Sequence, residues 1–123
     1  MSEIARLDHL QLAMPRGREA DARAFYGGIL GLQELMKPAN LAGRGGVWFA
    51  LGAQQLHLGV EEDFRPARKA HPAFLVQDIL GLRARLERQG LAPYEDEPLA
   101  GYQRFYVADP FGNRLEFLQP VAR

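Results

Sequence analysis

One order of elements occurs twice in this chain, and that repeat restricts the possible folds more than any other feature. Leu7–Met14 alternates apolar and polar residues as a strand does: Leu10, Leu12 and Met14 share one face, His9, Gln11 and Ala13 the other. Pro15 and Gly17 break it. "READARAFYGGIL", Arg18 to Leu30, reads as an amphipathic helix with Ala20, Ala24 and Phe25 as its buried stripe, closed by Gly27, Gly28 and Gly31. "LQELMK" reads as a short strand, "NLAGRGG" as a mobile loop, and "VWFAL" and "QQLHLGV" as strands around a tight turn. After the linker "EEDFRPARKA" the order recurs. "HPAFLV" is a strand. "QDILGLRARLERQG" is a helix, with Ile79, Leu82 and Leu86 at helical spacing, Asp78 as its cap and Gly90 as its end. "YQRFYVA" and "NRLEFLQ" are strands joined by the turn "DPFG". The period is roughly sixty residues, too long for a solenoid unit. It reads as duplication of a βαβββ module, one over about residues 1–62 and the other over about 69–120, within a single domain spanning 1–123.

The repeat aligns chemistry as well as elements. "HLQLAMP" and "HPAFLVQ" each open a strand on histidine before a helix. "QQLHLGV" and "NRLEFLQ" each place one metal-competent side chain between apolar neighbours. His9 precedes His57 by 48 positions, and His71 precedes Glu116 by 45. His9, His57, His71 and Glu116 are therefore equivalent positions, and they use all three histidines of the chain. Strand alternation turns the apolar neighbours toward the helices and the four polar side chains toward the opposite, concave face. Imidazole and carboxylate are the usual ligands of zinc, nickel, manganese and iron(II). A lone strand histidine is more often an ordinary polar residue, and Glu116 alone reads equally well as a partner of Arg104 or Arg114. The symmetry of all four positions is what favours a divalent-metal site. The same alternation places Gln11, Gln55, Arg104 and Arg114 on or near the concave face, where an arginine suits a carboxylate or phosphate. Trp48, Phe49, Tyr102, Phe105 and Tyr106 supply aromatic walls only on alternate positions, so about half of them belong to the core. Asp8 has the wrong parity to join His9 and is left out of the site.

Composition removes other classes. Fifteen basic and fifteen acidic residues cancel, so nothing favours electrostatic capture of nucleic acid or of an anionic membrane. With no cysteine there is neither a disulfide framework nor a thiol nucleophile. No apolar run reaches signal-peptide or membrane-spanning length, and a cytoplasmic protein is expected. "GRGG" lacks the lysine and the strand–helix context of a phosphate loop.

"DHLQLAMP", "FYGGILGL", "QLHLGV", "HPAFLVQD" and above all "RFYVADPFGNRLEFLQ" make the chain resemble the vicinal oxygen chelate superfamily, the glyoxalase, bleomycin-resistance and extradiol-dioxygenase fold. The resemblance covers essentially the whole chain. It implies an α+β fold of two tandem βαβββ modules, cup-shaped and mainly antiparallel sheets with helices outside, each with its first strand beside its last. It implies a homodimer, and a divalent metal held by His9, His57, His71 and Glu116 that chelates neighbouring oxygens of a small substrate. Glyoxalase-type isomerases carry glutamate at both final-strand positions. Here the first of these is His57, which leaves Glu116 as the one candidate catalytic base. Extradiol dioxygenases and thiol transferases use two histidines and a carboxylate, matching His9, His71 and Glu116 with His57 as an extra. A ring-cleaving dioxygenase needs a further acid–base histidine, and the chain has none to spare. The expected function is metal-dependent chemistry of the lyase, isomerase, epimerase or thiol-transfer type, with Gln11, Gln55, Trp48, Arg104, Tyr106 and Arg114 contacting substrate. The alternatives are metal-free sequestration of a small molecule, as in bleomycin-resistance proteins, and extradiol-type dioxygenation.

Overall fold

The computed structural model describes residues 2–121. The chain divides into two compact units, the boundary falling between Arg65 and Pro66. The first contains β1 (His9–Met14), α1 (Glu19–Ala22), which runs directly into a π-helical stretch (Arg23–Ile29), β2 (Glu34–Leu35), a 3₁₀ segment (Ala39–Arg44), β3 (Val47–Leu51) and β4 (Gln54–Val60). The second contains β5 (Ala73–Leu75), α2 (Ile79–Arg88), β6 (Tyr102–Ala108) and β7 (Arg114–Pro120). The fold is α+β, two tandem modules each built on one small sheet.

In the first unit the strand order is β1-β4-β3-β2, and in the second β5-β7-β6. In each, the first strand lies parallel to the last while the remaining pairs are antiparallel. The registers repeat too. Gln11 pairs with His57, two residues after His9. Ala73 pairs with Glu116, two residues after His71. The equivalence of His9 with His71, and of His57 with Glu116, is thus a property of backbone pairing within each unit.

Several expectations are corrected. The first strand starts at His9 rather than Leu7, which is 68% exposed. The second module forms two strands after its helix, not three; where the third would lie, Tyr94 makes a single bridge to Tyr106. "NLAGRGG" is not an unstructured loop, since Ala39–Arg44 winds into a 3₁₀ segment. The buried stripe of the first helix is Ala22, Phe25 and Tyr26, while Ala20 and Ala24 are exposed. The misreading has a physical cause. The Leu30 amide bonds to the Phe25 carbonyl five residues back, at 2.9 Å. The wider turn of a π-helix brings two successive aromatics onto one face. Tyr26 then packs on Phe49 of β3, ring centroids 5.8 Å apart.

The second helix is as expected. The Asp78 carboxylate accepts from the Gly81 amide at 3.0 Å, capping α2, and Ile79, Leu82 and Leu86 are buried. A clamp not foreseen from sequence adds to this cap: the Gln119 side chain accepts from the Ile79 amide at 2.9 Å and donates to the Gln77 carbonyl at 2.6 Å. The turn after β6 is built by Asp109, whose carboxylate accepts from the amides of Phe111 and Asn113 and from the Asn113 side chain. Asn113 in turn accepts from the Ala67 amide at 3.0 Å. Asp109 and Asn113 are both buried, so the "DPFGN" stretch is architecture rather than chemistry.

Glu19 fastens the segment before β3 by accepting from the Gly46 amide at 2.8 Å. That bond is the main reason its carboxyl is held below the usual carboxylate range, with Arg23 and Lys37 adding to it. A carboxyl lowered on folding stabilises the folded state above its unfolded value, and the contribution is lost as pH falls through the folded value. Glu19→Gln should therefore destabilise the protein by about 1 kcal/mol at pH 7, a charge-assisted bond discounted for partial solvent screening. The gap from the parent should narrow in urea melts as the pH is lowered below the ordinary carboxylate range. A gap of constant size would show that the charge is not what matters.

Candidate functional site

The two modules each bring a pair of the expected side chains together. In the second, the β5–β7 pairing sets His71 against Glu116, with Nε2 2.8 Å from Oε1. The other carboxylate oxygen accepts from Arg104 Nη1 at 3.2 Å. Glu116 is almost wholly enclosed, its side chain 7% exposed. Burial pushes its carboxyl up, but the hydrogen bonds and charges of His71 and Arg104 outweigh burial and hold it below the usual range. As placed, Glu116 is a strong anionic ligand and a weakened base.

His71 carries a further constraint. Its Nδ1 faces the Lys69 carbonyl at 2.8 Å, and a carbonyl only accepts. Nδ1 therefore bears the hydrogen, an assignment made from the acceptor it faces. In the neutral ring Nε2 is then bare, and it faces a carboxylate oxygen that is also bare. Two acceptors at this separation require a cation between them, supplied either by a second ring proton or by a metal ion. A backbone carbonyl holding the distal ring nitrogen is the usual support of a metal-bound histidine. Two neighbouring ligands of one ion, each about 2.1 Å from it, lie about 3 Å apart at an octahedral angle and about 3.4 Å apart at a tetrahedral one. The donor chemistry of this pair suits a divalent metal, while its 2.8 Å separation is that of a direct hydrogen bond, so an ion would have to part the two slightly.

Around them, Arg104 also donates to the Tyr106 hydroxyl at 2.9 Å, and the Arg114 guanidinium lies 4.0 Å above the Tyr106 ring. Arg114 reaches Asp96 at 3.5 Å. Both expected anion-binding arginines are thus already matched to carboxylates, although the Nε of each is buried without a hydrogen-bond partner. Tyr106 is buried against this group, and Phe49 and Phe105 are buried in the core, Phe105 also bordering a cleft with Tyr102 and Arg104.

In the first module Trp48, His57 and His9 stack in that order. The Trp48 and His57 rings are 3.9 Å apart and nearly parallel, and those of His57 and His9 are 4.4 Å apart at 20°. Sequence reasoning missed Asp8 here. It precedes β1, so strand alternation does not govern it, and its carboxylate meets His9 Nδ1 at 3.0 Å. That contact leaves His9 Nε2 as the presented nitrogen, the same arrangement that Lys69 gives His71. His57 differs. Its Nε2 meets the Gln55 side-chain oxygen at 2.8 Å. Burial above all, helped by His9 and Lys37 and opposed by Asp8, lowers its pKa. An imidazole binds a metal in its own ring plane, so near-parallel rings do not present one ion to both. As placed, His9 offers a free nitrogen while His57 forms a wall. Gln11, Trp48, His9 and His57 line a cleft of about 400 Å³ in this module, and Gln55 acts through His57. Among the described residues, no three His, Asp or Glu side chains converge as a ready-made metal centre.

The sequence profile of the Glyoxalase/Bleomycin resistance protein/Dioxygenase superfamily matches residues 6–117. No curated protein matches the chain. Among solved structures, a protein from Bacillus anthracis assigned to the glyoxalase family is 46% identical, with 98% of this chain and 99% of that one covered and a TM-score of 0.95. A glyoxalase/dioxygenase from Nostoc punctiforme is 23% identical over 99% of both chains, with a TM-score of 0.78. The lactoylglutathione lyase of Agrobacterium tumefaciens is 20% identical over 96% of both, with a TM-score of 0.74. The latter two are similar in fold. The duplicated register, the helix-bearing modules and the match along nearly the whole chain agree: this protein belongs to the glyoxalase/bleomycin resistance protein/dioxygenase superfamily.

Proposed function

We propose that the chain is a divalent-metal-dependent enzyme acting on a small substrate with neighbouring oxygens, as a homodimer in the cytoplasm. The observation that carries this reading is the contact of His71 Nε2 with the Glu116 carboxylate at 2.8 Å, each side chain held by its own further partner. The sequence repeat offers His9 as a further donor, with His57 as the wall beside it. His9 is supported by Asp8 in the way His71 is supported by Lys69, and His57 is the stacked neighbour of His9. Zinc, nickel, manganese and iron(II) all suit imidazole and carboxylate donors. When bound, such an ion supplies a Lewis acid that stabilises negative charge developing on substrate oxygen.

The protein's own groups favour some reactions over others. Glu116 is the single carboxylate among the four equivalent positions, and its basicity is lowered. Abstraction of a carbon-bound proton, as isomerases and epimerases require, is therefore poorly served. Addition of an external nucleophile such as a thiol needs no strong protein base and suits the site better. Arg104 offsets the charge of Glu116. Tyr106 accepts from Arg104, which leaves the phenolic hydrogen free to donate to a substrate oxygen. Extradiol ring cleavage remains without its extra histidine.

Metal content and melting temperature test the reading together. The chelator-stripped protein should take up about one equivalent of at least one of these four metals and should melt higher once loaded. His71→Ala should abolish both effects. If none of the four metals binds, the metal-free alternative takes its place; its support is the flat Trp48–His57–His9 stack beside a cleft of small-molecule size.

A further inference from the structure

The first-module cleft has a charge that neither its histidines nor its aromatic wall explains. Two permanent cations, Lys37 and Arg44, line it, and no carboxylate does. The chain as a whole is electrically neutral, so this is local segregation of charge. The cations come from the stretch between β2 and β3, where the 3₁₀ segment ends at Arg44. Lys37 is half-buried and donates to the carbonyl of Gly45, which also lines the cleft, so the bond ties the loop there. Glu19, whose carboxyl the Lys37 charge helps to hold down, is engaged by the Gly46 amide and does not line the cleft. Arg44 makes no ion pair among the described residues. This contrasts with the second module, where Arg104 and Arg114 are both matched to carboxylates. It also contrasts with Arg16, Arg18 and Arg23 of the first module, each of which has its own acidic partner. Lys37 and Arg44 thus face one cavity whose lining holds no carboxylate, beside an apolar wall of Trp48 and Leu41.

We infer that this cleft is an anion subsite, in which Lys37 and Arg44 recognise the carboxylate or phosphoryl group of a small organic molecule whose body lies against Trp48 and Leu41. A guanidinium forks two parallel hydrogen bonds to either oxyanion, and an ammonium adds a point charge from the other side. The volume of about 400 Å³ is in the range of small-ligand pockets and far below what a macromolecular partner needs. The subsite rests on the reading that a small molecule is held beside His9, and it specifies the charge of that molecule. It does not depend on a metal.

Trp48 is the chain's one tryptophan, so its fluorescence reports directly on this cleft. Phenylphosphonate and benzoate are titrated separately into the full-length protein, once stripped with EDTA and once loaded with zinc. A saturable change with either anion is expected in both conditions, and none with benzyl alcohol, the uncharged analogue. Lys37→Met and Arg44→Gln should each weaken binding about tenfold or more, the loss of one charge-assisted contact. Arg44→Lys should retain part of the affinity, and Arg88→Gln, on the exposed end of α2 in the other module, all of it. Arg44 is exposed, so its substitution tests the subsite even if Lys37→Met loosens the loop. Parent-like affinity in Arg44→Gln, equal binding of benzyl alcohol, or no saturable response to either anion would overturn the inference. Binding that persists in EDTA upholds it even where the metal reading fails.

Discussion

Glu116→Gln should eliminate the rise in melting temperature that a divalent metal gives the parent protein. A ligand at a hundred times its dissociation constant stabilises by about 2.7 kcal/mol. In a chain of this size that is a shift of roughly 10 °C. Glutamine has nearly the same shape and can still accept from Arg104, and its amide can donate to the bare Nε2 of His71. The metal-free variant should therefore fold, and its melting temperature without metal should lie close to that of the parent. What glutamine lacks is the negative charge that an ion requires. Glu116→Ala separates the two roles, because it also leaves Arg104 and His71 without their common partner and should lower stability even in chelator. The pH dependence supplies a third reading. The Glu116 carboxyl is lowered on folding, since His71 and Arg104 outweigh burial, so its stabilising contribution exists above the unfolded carboxyl value and disappears as pH falls through the folded one. Acid should thus narrow the difference between the parent and Glu116→Ala. A full metal shift in Glu116→Gln would remove this carboxylate from the ligand set.

The repeat made much of this legible in advance. Four chemical positions could be aligned because parallel pairing of first and last strands carries the same offset in both modules, and an offset survives in sequence as spacing. The second helix was equally readable: Asp78, the apolar positions four or three apart and Gly90 are all local signals. What was lost is what local signals do not encode. A π-helical stretch shifts the phase of the buried face, so reading Arg18–Leu30 at the ordinary helical period chose Ala20 and Ala24 instead of Ala22 and Tyr26. Asp8 was excluded by strand parity although the strand had not yet begun. The acceptor that fixes His71 is a backbone carbonyl, which no side-chain pattern can announce. His57 was given the role of its neighbours because equivalence of position is visible in a sequence, whereas stacking against Trp48 is not. Lys37 and Arg44 stand out in no pattern, because their significance lies in sharing one cleft whose lining holds no carboxylate.

Gly46→Ala should be among the most damaging single changes in the first module, although the stretch "GRGG" reads in sequence as a mobile loop. Gly46 adopts φ +86°, and a Cβ added there would lie 2.1 Å from the Leu58 carbonyl oxygen. That oxygen belongs to β4 opposite the start of β3, where Val47 pairs with Leu58. Relief requires the backbone of one strand to move, and movement there also pulls the Gly46 amide from Glu19. The strained conformation and the steric overlap each cost about 1–3 kcal/mol, so a loss of roughly 2–6 kcal/mol is expected in urea unfolding. Gly17 is the natural control: its φ is +84°, with nothing within 4 Å of an added Cβ. Gly17→Ala should show the conformational cost alone, and the difference between the two variants isolates the contact with β4. Equal losses would mean that strand spacing here adjusts freely, in which case the segment bearing Lys37 and Arg44 is not held in place by β3 and β4.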